Sequence, residues 1–140
     1  LQDMQENRCF YCGSAMKQDP HVDHFIPWSR YPRDLAQNFV LAHGACNLDK
    51  GDMLGAPAHL AHWVKRNRES GAGLAARLSP AGFLDDQAAA LQVARWAYGQ
   101  AEATQAQLWV SLKYTVNADR RCLEILGGQG RRHGQINCPY

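Results

Sequence analysis

Two pairs of metal-ligand residues, with two residues between the members of each pair, constrain the fold of this chain most strongly. Cys9 and Cys12 form the first pair, and His43 and Cys46 form the second. Thiolates and an imidazole can close a tetrahedral zinc site, and the short spacing lets both members of a pair reach one ion from a tight turn. The alternatives are a redox-active Cys-x-x-Cys or unrelated buried thiols. The second pair favours a structural zinc ion that joins the two.

The cysteine count fits a reducing compartment better than a disulfide framework. The chain has 5 cysteines, an odd number, and its N-terminal residues lack the charged head and apolar middle of a secretion signal. We therefore expect reduced thiols and a cytoplasmic location, with Cys122 and Cys138 as plain thiols. The chain begins at Leu1 without an initiator methionine, which predicts a fragment or a processed product.

Length and composition restrict the class of fold further. The 140 residues suffice for one ordinary domain, and the 46% hydrophobic and 20% charged content excludes a disordered or low-complexity chain. No apolar run approaches the roughly 20 residues of a membrane-spanning helix, so we expect no membrane partner. The net charge of +2 does not by itself indicate a nucleic-acid-binding protein, although a local basic groove is compatible with it.

The segment between the two pairs combines strand-forming residues with polar side chains. Residues 22–25 are typical of the end of a short strand, and residues 38–42 of a second strand that leads into the second pair. Residues 46–52 resemble the start of a helix. Neighbouring strand residues point to opposite faces. Asp23 can therefore bind a hard cation while His24, as a neutral imidazole, activates a nearby water molecule.

The order of these residues is similar to that in the HNH endonuclease family, in its His-Asn-Asn form. The similarity covers about residues 8–54. It rests on the two metal-ligand pairs, called knuckle pairs below (Cys9 with Cys12 and His43 with Cys46), together with Asp23, His24, Asn38 and Asn47. Singly, these four residues have ordinary structural explanations, such as a strand cap, a partly buried imidazole, a turn residue and a helix cap. The resemblance implies an α+β fold, a zinc-stapled ββα-metal core in which a hairpin and a helix surround one catalytic divalent ion.

The resemblance also implies a role for each matching residue. Asp23 and Asn47 would hold a catalytic Mg²⁺ or Mn²⁺ ion that stabilises the phosphate and the leaving 3′ oxygen. His24 would be the general base, and the amide of Asn38 would fix the loop that carries it. The implied reaction is nicking or cleavage of DNA, most simply double-stranded, that leaves a 5′-phosphate and a 3′-hydroxyl.

Four further residues are candidates for contacts with the nucleic acid: Lys50, Arg30, Arg33 and His21. The cations would neutralise phosphate charge, and His21 would share the face of Asp23 and contact phosphate or assist the metal. Solvated arginines and a plain surface histidine are the alternatives. Trp28 lies in the same loop as Arg30 and Arg33, where it either stacks on bases or folds over the zinc core.

The remaining sequence is mainly helical by pattern. We expect a helix that begins at Pro57 and ends near Ser70, a short helix around residues 74–78, and a longer helix from Asp85 or Asp86 towards Gln105. Residues 108–116 fit a strand or a longer helix. This predicts a nuclease core at residues 1–56, a mainly helical extension packed on it at residues 57–126, and a flexible, basic and glycine-rich tail at residues 127–140.

Three functions stay open at this point. The first is a metal-dependent DNA endonuclease. The second is a non-catalytic zinc-ribbon module that binds nucleic acid or protein, which would need none of Asp23, His24 and Asn47. The third is a nuclease subunit that is silent until a missing N-terminal region or partner subunits deliver the substrate.

Overall fold

The computed structural model describes residues 1–82 and 85–127, so Cys138 and the expected tail beyond Gly127 lie outside the described residues. Helices and strands are mixed, which confirms the expected α+β class. The elements in chain order are β1 (His21–His24), β2 (Phe39–Ala42), α1 (Gly44–Lys50), α2 (Pro57–Leu78), α3 (Gln87–Thr104), β3 (Gln107–Ser111), β4 (Tyr114–Asn117) and α4 (Arg121–Ile125). Within these described ranges, no helix is both long enough and apolar enough to cross a bilayer.

A hairpin and a short helix form the ββα unit that carries the predicted site residues. β1 pairs with β2 in antiparallel register, so that His21 lies opposite Ala42 and His24 lies opposite Phe39. A single residue, His43, separates β2 from α1. The side chains of β2 are all buried, as expected for an uninterrupted apolar run. The second knuckle pair is thereby placed at the start of α1, next to the hairpin.

Helix α2 is longer than its sequence predicts. We expected an end near Ser70 because glycine is a poor helix former, yet α2 continues through Gly71 to Leu78. Gly71 is buried, and a Cβ atom there would lie 3.1 Å from the side-chain oxygen of Gln87. A side chain at position 71 would require the Gln87 side chain at the start of α3 to shift. Tertiary packing outweighs the unfavourable helix propensity at this position.

The segment after α3 is a second hairpin and does not extend the helix. Gln105 ends α3 in the left-handed conformation, with φ 50°. β3 and β4 then pair antiparallel, with Leu108 opposite Val116. Asp86 caps the other end of α3, where its side chain accepts a hydrogen bond from the backbone N–H of Ala89 at 2.8 Å.

One hydrophobic core joins the ββα unit to the later elements. Phe25 stacks on Trp63 of α2, with ring centroids 5.0 Å apart. The hydroxyl of Tyr98 in α3 donates to the carbonyl of Gly55 at 2.6 Å. The backbone of Trp109 in β3 bonds to Leu54 and Ala56, both at 2.8 Å. Residues from α2, α3 and β3 therefore pack directly on the segment around the hairpin.

Candidate metal centre and active site

The two knuckle pairs converge on one point. The ligand atoms of Cys9, Cys12, His43 and Cys46 all lie within 4.8 Å of one another, and the Sγ of Cys12 is 3.3 Å from the Nδ1 of His43. Gly13 follows the first pair with φ 71°, a left-handed conformation that lets the chain reverse there. Three thiols and one imidazole in this spacing fit a closed tetrahedral zinc site.

Contacts around the cluster orient its ligands. The Nε2 of His43 lies 3.1 Å from the carbonyl oxygen of Ala15, so the Nε2–H donates to it and Nδ1 faces the three thiols. The backbone N–H of His43 donates to the Sγ of Cys9 at 3.4 Å. The histidine is thus held in the tautomer that binds a metal through Nδ1.

The electrostatics of the cluster favour a cation at its centre. Burial would raise the pKa of the Cys12 thiol, but hydrogen bonds with Ser14, Cys9 and His43 lower it to about 7. Burial and the neighbouring Cys9 and Cys12 raise the pKa of Cys46 to about 12. One thiol therefore ionises readily, and the negative charge opposes ionisation of another. A central zinc ion would remove this repulsion, because thiols that bind a metal lose their protons.

β1 and α1 face each other through two polar contacts. The Nδ1 of His21 lies 3.4 Å from the side-chain nitrogen of Asn47, and the Nζ of Lys50 lies 3.2 Å from the Oδ2 of Asp23. Residues two apart share a strand face, and residues three apart share a helix face. Asp23 and Asn47 therefore belong to the same strand–helix interface.

Lys50 occupies a different environment from the one predicted. Its side chain is fully buried, pairs with Asp23, and lies 3.4 Å from the carbonyl oxygen of His24. The structure corrects the predicted phosphate contact, because a fully buried ammonium group cannot reach a phosphate. The packing of α1 on β1 turns this side chain inward. Burial lowers the pKa of Lys50, and the charge of Asp23 opposes that shift.

Among the described residues, the contacts found for the buried carboxylate of Asp23 are made by one of its two oxygens. The hydroxyl of Tyr11 and the ammonium group of Lys50 both bind its Oδ2. Burial, followed by the charge of Asp23, raises the pKa of Tyr11 well above its ordinary value, so the hydroxyl stays a donor. Oδ1 is the carboxylate atom that a cation would bind. Together with the amide oxygen of Asn47, this donor set fits a hard divalent ion.

The ring of His24 lies on the other face of β1. The ring contacts Phe39, at a centroid distance of 4.8 Å, and Trp28, at 5.4 Å. Its Nε2 lies 2.9 Å from the Oδ1 of Asp34. Among the described residues, no hydrogen bond joins the ring of His24 to Asp23 or Asn47. Sequence reasoning missed Asp34, for which the only signal was an acidic residue in the loop between His24 and Asn38.

Asn38 fastens the start of the loop that follows His24. Its Oδ1 accepts from the backbone N–H of Ile26 at 2.7 Å, and its Nδ2 donates to the carbonyl of Ile26 at 2.9 Å. The side chain of Asn38 is buried, so both bonds are shielded from water. The backbone two residues after His24 is therefore tied to the 3-10 turn that precedes β2.

The other candidate nucleic-acid contacts differ in exposure. His21 and Arg33 are exposed, and Arg30 is half-buried. Trp28 is 49% exposed, and its ring makes a T-shaped contact with the ring of His24. His21, Arg33 and Trp28 therefore present side chains to solvent near the ββα unit.

Comparison with known protein families agrees with this geometry. The fold and the cluster define a ββα unit with a zinc-type Cys3His centre. Residues 9–53, from the first knuckle to just beyond α1, match the family model of the HNH endonuclease, so this segment, about a third of the chain, is similar to HNH domains. No curated protein and no solved structure matches the chain. An HNH domain indicates a nuclease-type function that uses a divalent metal.

Proposed function

We propose that the protein is a metal-dependent endonuclease that hydrolyses phosphodiester bonds of DNA. The observation that supports this most is the interface of β1 and α1. It contains Asp23 and Asn47, which both carry oxygen donors. The zinc-type cluster (Cys9, Cys12, His43 and Cys46) lies next to it, at the start of α1. The cluster itself uses neither of these two donors, so their presence beside it favours a second ion that is held by oxygen ligands.

In this proposal each residue has one task. Asp23 and Asn47 hold Mg²⁺ or Mn²⁺, which supplies charge stabilisation to the phosphate and the leaving oxygen when bound. His24 accepts a proton from the attacking water, whose oxygen forms the new bond to phosphorus. The bond from phosphorus to the 3′ oxygen breaks, and that oxygen takes a proton from solvent. Asn38 holds the loop beside His24. The products are a 5′-phosphate and a 3′-hydroxyl.

The proposed substrate is double-stranded DNA in the cytoplasm. Exposed Arg33 and His21 would contact phosphates, and half-buried Arg30 would add positive charge. The cysteines of the zinc-type cluster suit a reducing compartment, since they must stay reduced to bind the ion. A further N-terminal region or partner subunits of a larger system would direct the cut to its site.

A plasmid-cleavage assay with Mg²⁺ or Mn²⁺ tests the proposal. We expect wild-type protein to nick or linearise supercoiled plasmid and the His24→Ala variant to be slower by about 10²- to 10⁴-fold, the usual contribution of a general base. The matched control is His62→Ala, because His62 lies on α2 and its ring stacks on Phe10, away from His24. A His24→Ala variant that cuts as fast as wild type would falsify the assignment of the base.

A second candidate function has one observation in its favour. The pairing of Asp23 with Lys50 also suits a purely structural carboxylate in a zinc-ribbon module that binds nucleic acid or protein without cutting. That module would retain DNA in a gel-shift assay and would leave plasmid intact in every metal tested. Activity that appears only after a partner or a further region is added would instead identify a nuclease subunit.

A further inference from the structure

Asp34 fixes the edge of the His24 ring that faces the following loop. The Nε2 of His24 and the Oδ1 of Asp34 are 2.9 Å apart, and the ring also contacts the rings of Phe39 and Trp28, which are inclined to it by 53° and 63°. Phe39 is also the residue directly opposite His24 in the hairpin. Two aromatic neighbours and one carboxylate therefore restrict the orientation of the ring.

The loop that carries Asp34 is anchored on both sides of it. Tyr31 is 3% exposed and Leu35 is 2% exposed, so the chain is held in the core before and after Asp34. Asn38 then ties the end of the loop to Ile26. The carboxylate is thus presented from a fixed backbone, although its own side chain is about half exposed, at 48%.

This contact determines which ring nitrogen is free. An ionised carboxylate only accepts hydrogen bonds, so the Nε2 of His24 must carry the hydrogen. In the neutral ring the other nitrogen, Nδ1, then has a free lone pair. A general base needs such a lone pair held in one direction, and a second group that bonds the opposite nitrogen supplies this orientation.

We propose that Asp34 is a positioning residue for His24. It holds the Nε2–H tautomer, so that Nδ1 is the atom that takes the proton from the attacking water. This inference rests on the proposed endonuclease function. Asp34 itself contacts neither water nor phosphate in the reaction. Its negative charge would weaken DNA binding slightly, because phosphates carry the same sign.

Steady-state cleavage by three variants in saturating Mn²⁺ tests the inference. We expect Asp34→Ala to lower kcat by about 10- to 100-fold without raising KM for DNA, as for other residues that orient a reactive group. Asp34→Glu keeps a carboxylate and should recover part of kcat. The matched control is Asp19→Ala, which removes one exposed negative charge and should leave kcat unchanged.

A spectroscopic measurement separates positioning from cleavage. In ¹⁵N-labelled wild-type protein, the Nε2–H proton of His24 should give an observable, hydrogen-bonded resonance at a pH where the ring is neutral. In Asp34→Ala this resonance should be lost to exchange with water. Because the side chain of Asp34 is about half exposed, Asp34→Ala and Asp34→Glu should both unfold at the wild-type temperature.

The outcomes distinguish failure of the positioning role of Asp34 from failure of the proposed endonuclease function. If Asp34→Ala keeps kcat within twofold of wild type while His24→Ala loses it, the positioning role is overturned and the endonuclease stands. If Asp34→Ala raises KM with kcat unchanged, Asp34 affects DNA binding and the inference is again overturned. If wild-type protein cleaves no DNA in any metal, the proposed function fails and the role of Asp34 fails with it.

Discussion

The ββα unit carries two polar sites that balance their charge in opposite ways. At the zinc-type cluster, three thiols and a histidine converge and the pKa of Cys46 is raised by burial and by its neighbours, so the cluster lacks a cation of its own. At the interface of β1 and α1, the protein supplies the cation itself, because Lys50 pairs with Asp23. We therefore expect the first site to depend on a bound ion for folding, whereas the charge of Asp23 at the second site is already paired within the protein.

Loss of the metal ion at the cluster should have the largest effect of any change considered for this protein. Structural zinc contributes on the order of 10 kcal/mol in small zinc-dependent domains. We expect Cys46→Ser, or a strong chelator, to unfold the ββα unit. Circular dichroism and metal analysis check this, with one zinc ion per wild-type chain and none in the variant.

The control for this prediction uses another buried thiol. Cys122 is 1% exposed and lies outside the cluster, so Cys122→Ser should keep its zinc and remain folded. Withdrawal of Mg²⁺ or Mn²⁺ should stop cleavage without changing the unfolding temperature. Equal effects of zinc and Mg²⁺ removal on stability would contradict the contrast between the two sites.

Removal of the internal cation should have the next largest effect. Lys50→Met leaves the buried carboxylate of Asp23 without its positive partner, and such a change costs about 3–5 kcal/mol. Tyr11 still donates to Asp23, so we expect the lower end of this range. Urea-induced unfolding measures the free energy of unfolding of the variant.

Two further variants define the origin of that cost. Adding Asp23→Asn to Lys50→Met removes the orphaned charge and should restore much of the lost stability. The matched control is Lys65→Met, because Lys65 is exposed on α2 and should change stability by no more than about 0.5 kcal/mol. If Lys50→Met were as stable as Lys65→Met, the Asp23–Lys50 pair would contribute nothing to the site.

The second hairpin, β3 and β4, contacts helix α1 through Asp49. The Nε1–H of Trp109 in β3 donates to Asp49 of α1 at 2.7 Å, and the backbone N–H of Lys113 donates to the same carboxylate oxygen at 2.8 Å. These bonds, led by that of Trp109, lower the pKa of Asp49. We propose that residues 57–126 form an extension whose role is to hold α1 against β1, with residues 1–56 as the nuclease core.

Trp109→Phe tests this brace. The substitution removes the indole donor and part of a ring that is 1% exposed, so we expect a loss of about 2 kcal/mol from the hydrogen bond and packing together. Trp28→Phe is the matched control, because Trp28 is about half exposed, and its stability should not change. Thermal unfolding of both variants measures the difference. Equal unfolding temperatures would mean that Trp109 does not brace α1.

The sequence predicted the cluster well because ligand type and spacing determine it locally. The four ligands lie in two short turns, and each pair can be identified without knowledge of the rest of the fold. The hairpin and the start of α2 at Pro57 follow from similarly local patterns. These features need only neighbouring residues, which is why their positions could be stated in advance.

The second site could be predicted only in part, because it depends on tertiary packing. A lysine at the end of a short helix is normally solvated, and nothing in the sequence shows that α1 turns Lys50 onto Asp23. Asp34 meets His24 only because the intervening loop folds back over the end of β1. The burial of Gly71 against Gln87 is equally non-local. The roles of these residues in catalysis stay predictions.

The smallest predicted effect is on the pH dependence of the free energy of unfolding. It tests whether the contact between α2 and β3 contains a group that titrates. His59 on α2 donates from Nε2 to the carbonyl of Val110 in β3 at 2.7 Å, and burial lowers its pKa. The unfolded chain therefore binds a proton near pH ~6.5, whereas the folded chain resists it. Stability from this group is complete above that pH and is lost as the pH falls from there to the folded pKa.

His59→Gln keeps a side-chain donor that does not titrate in this range. We expect its free energy of unfolding to fall less steeply than that of wild type between pH 6.5 and the folded pKa, with similar values at pH 8. Urea titrations at several pH values measure the difference in slope, in which the zinc ligands cancel because both proteins contain them. Identical slopes would show that the pKa of His59 is the same in the folded and the unfolded chain. The contact between α2 and β3 would then contribute nothing to the pH dependence of stability.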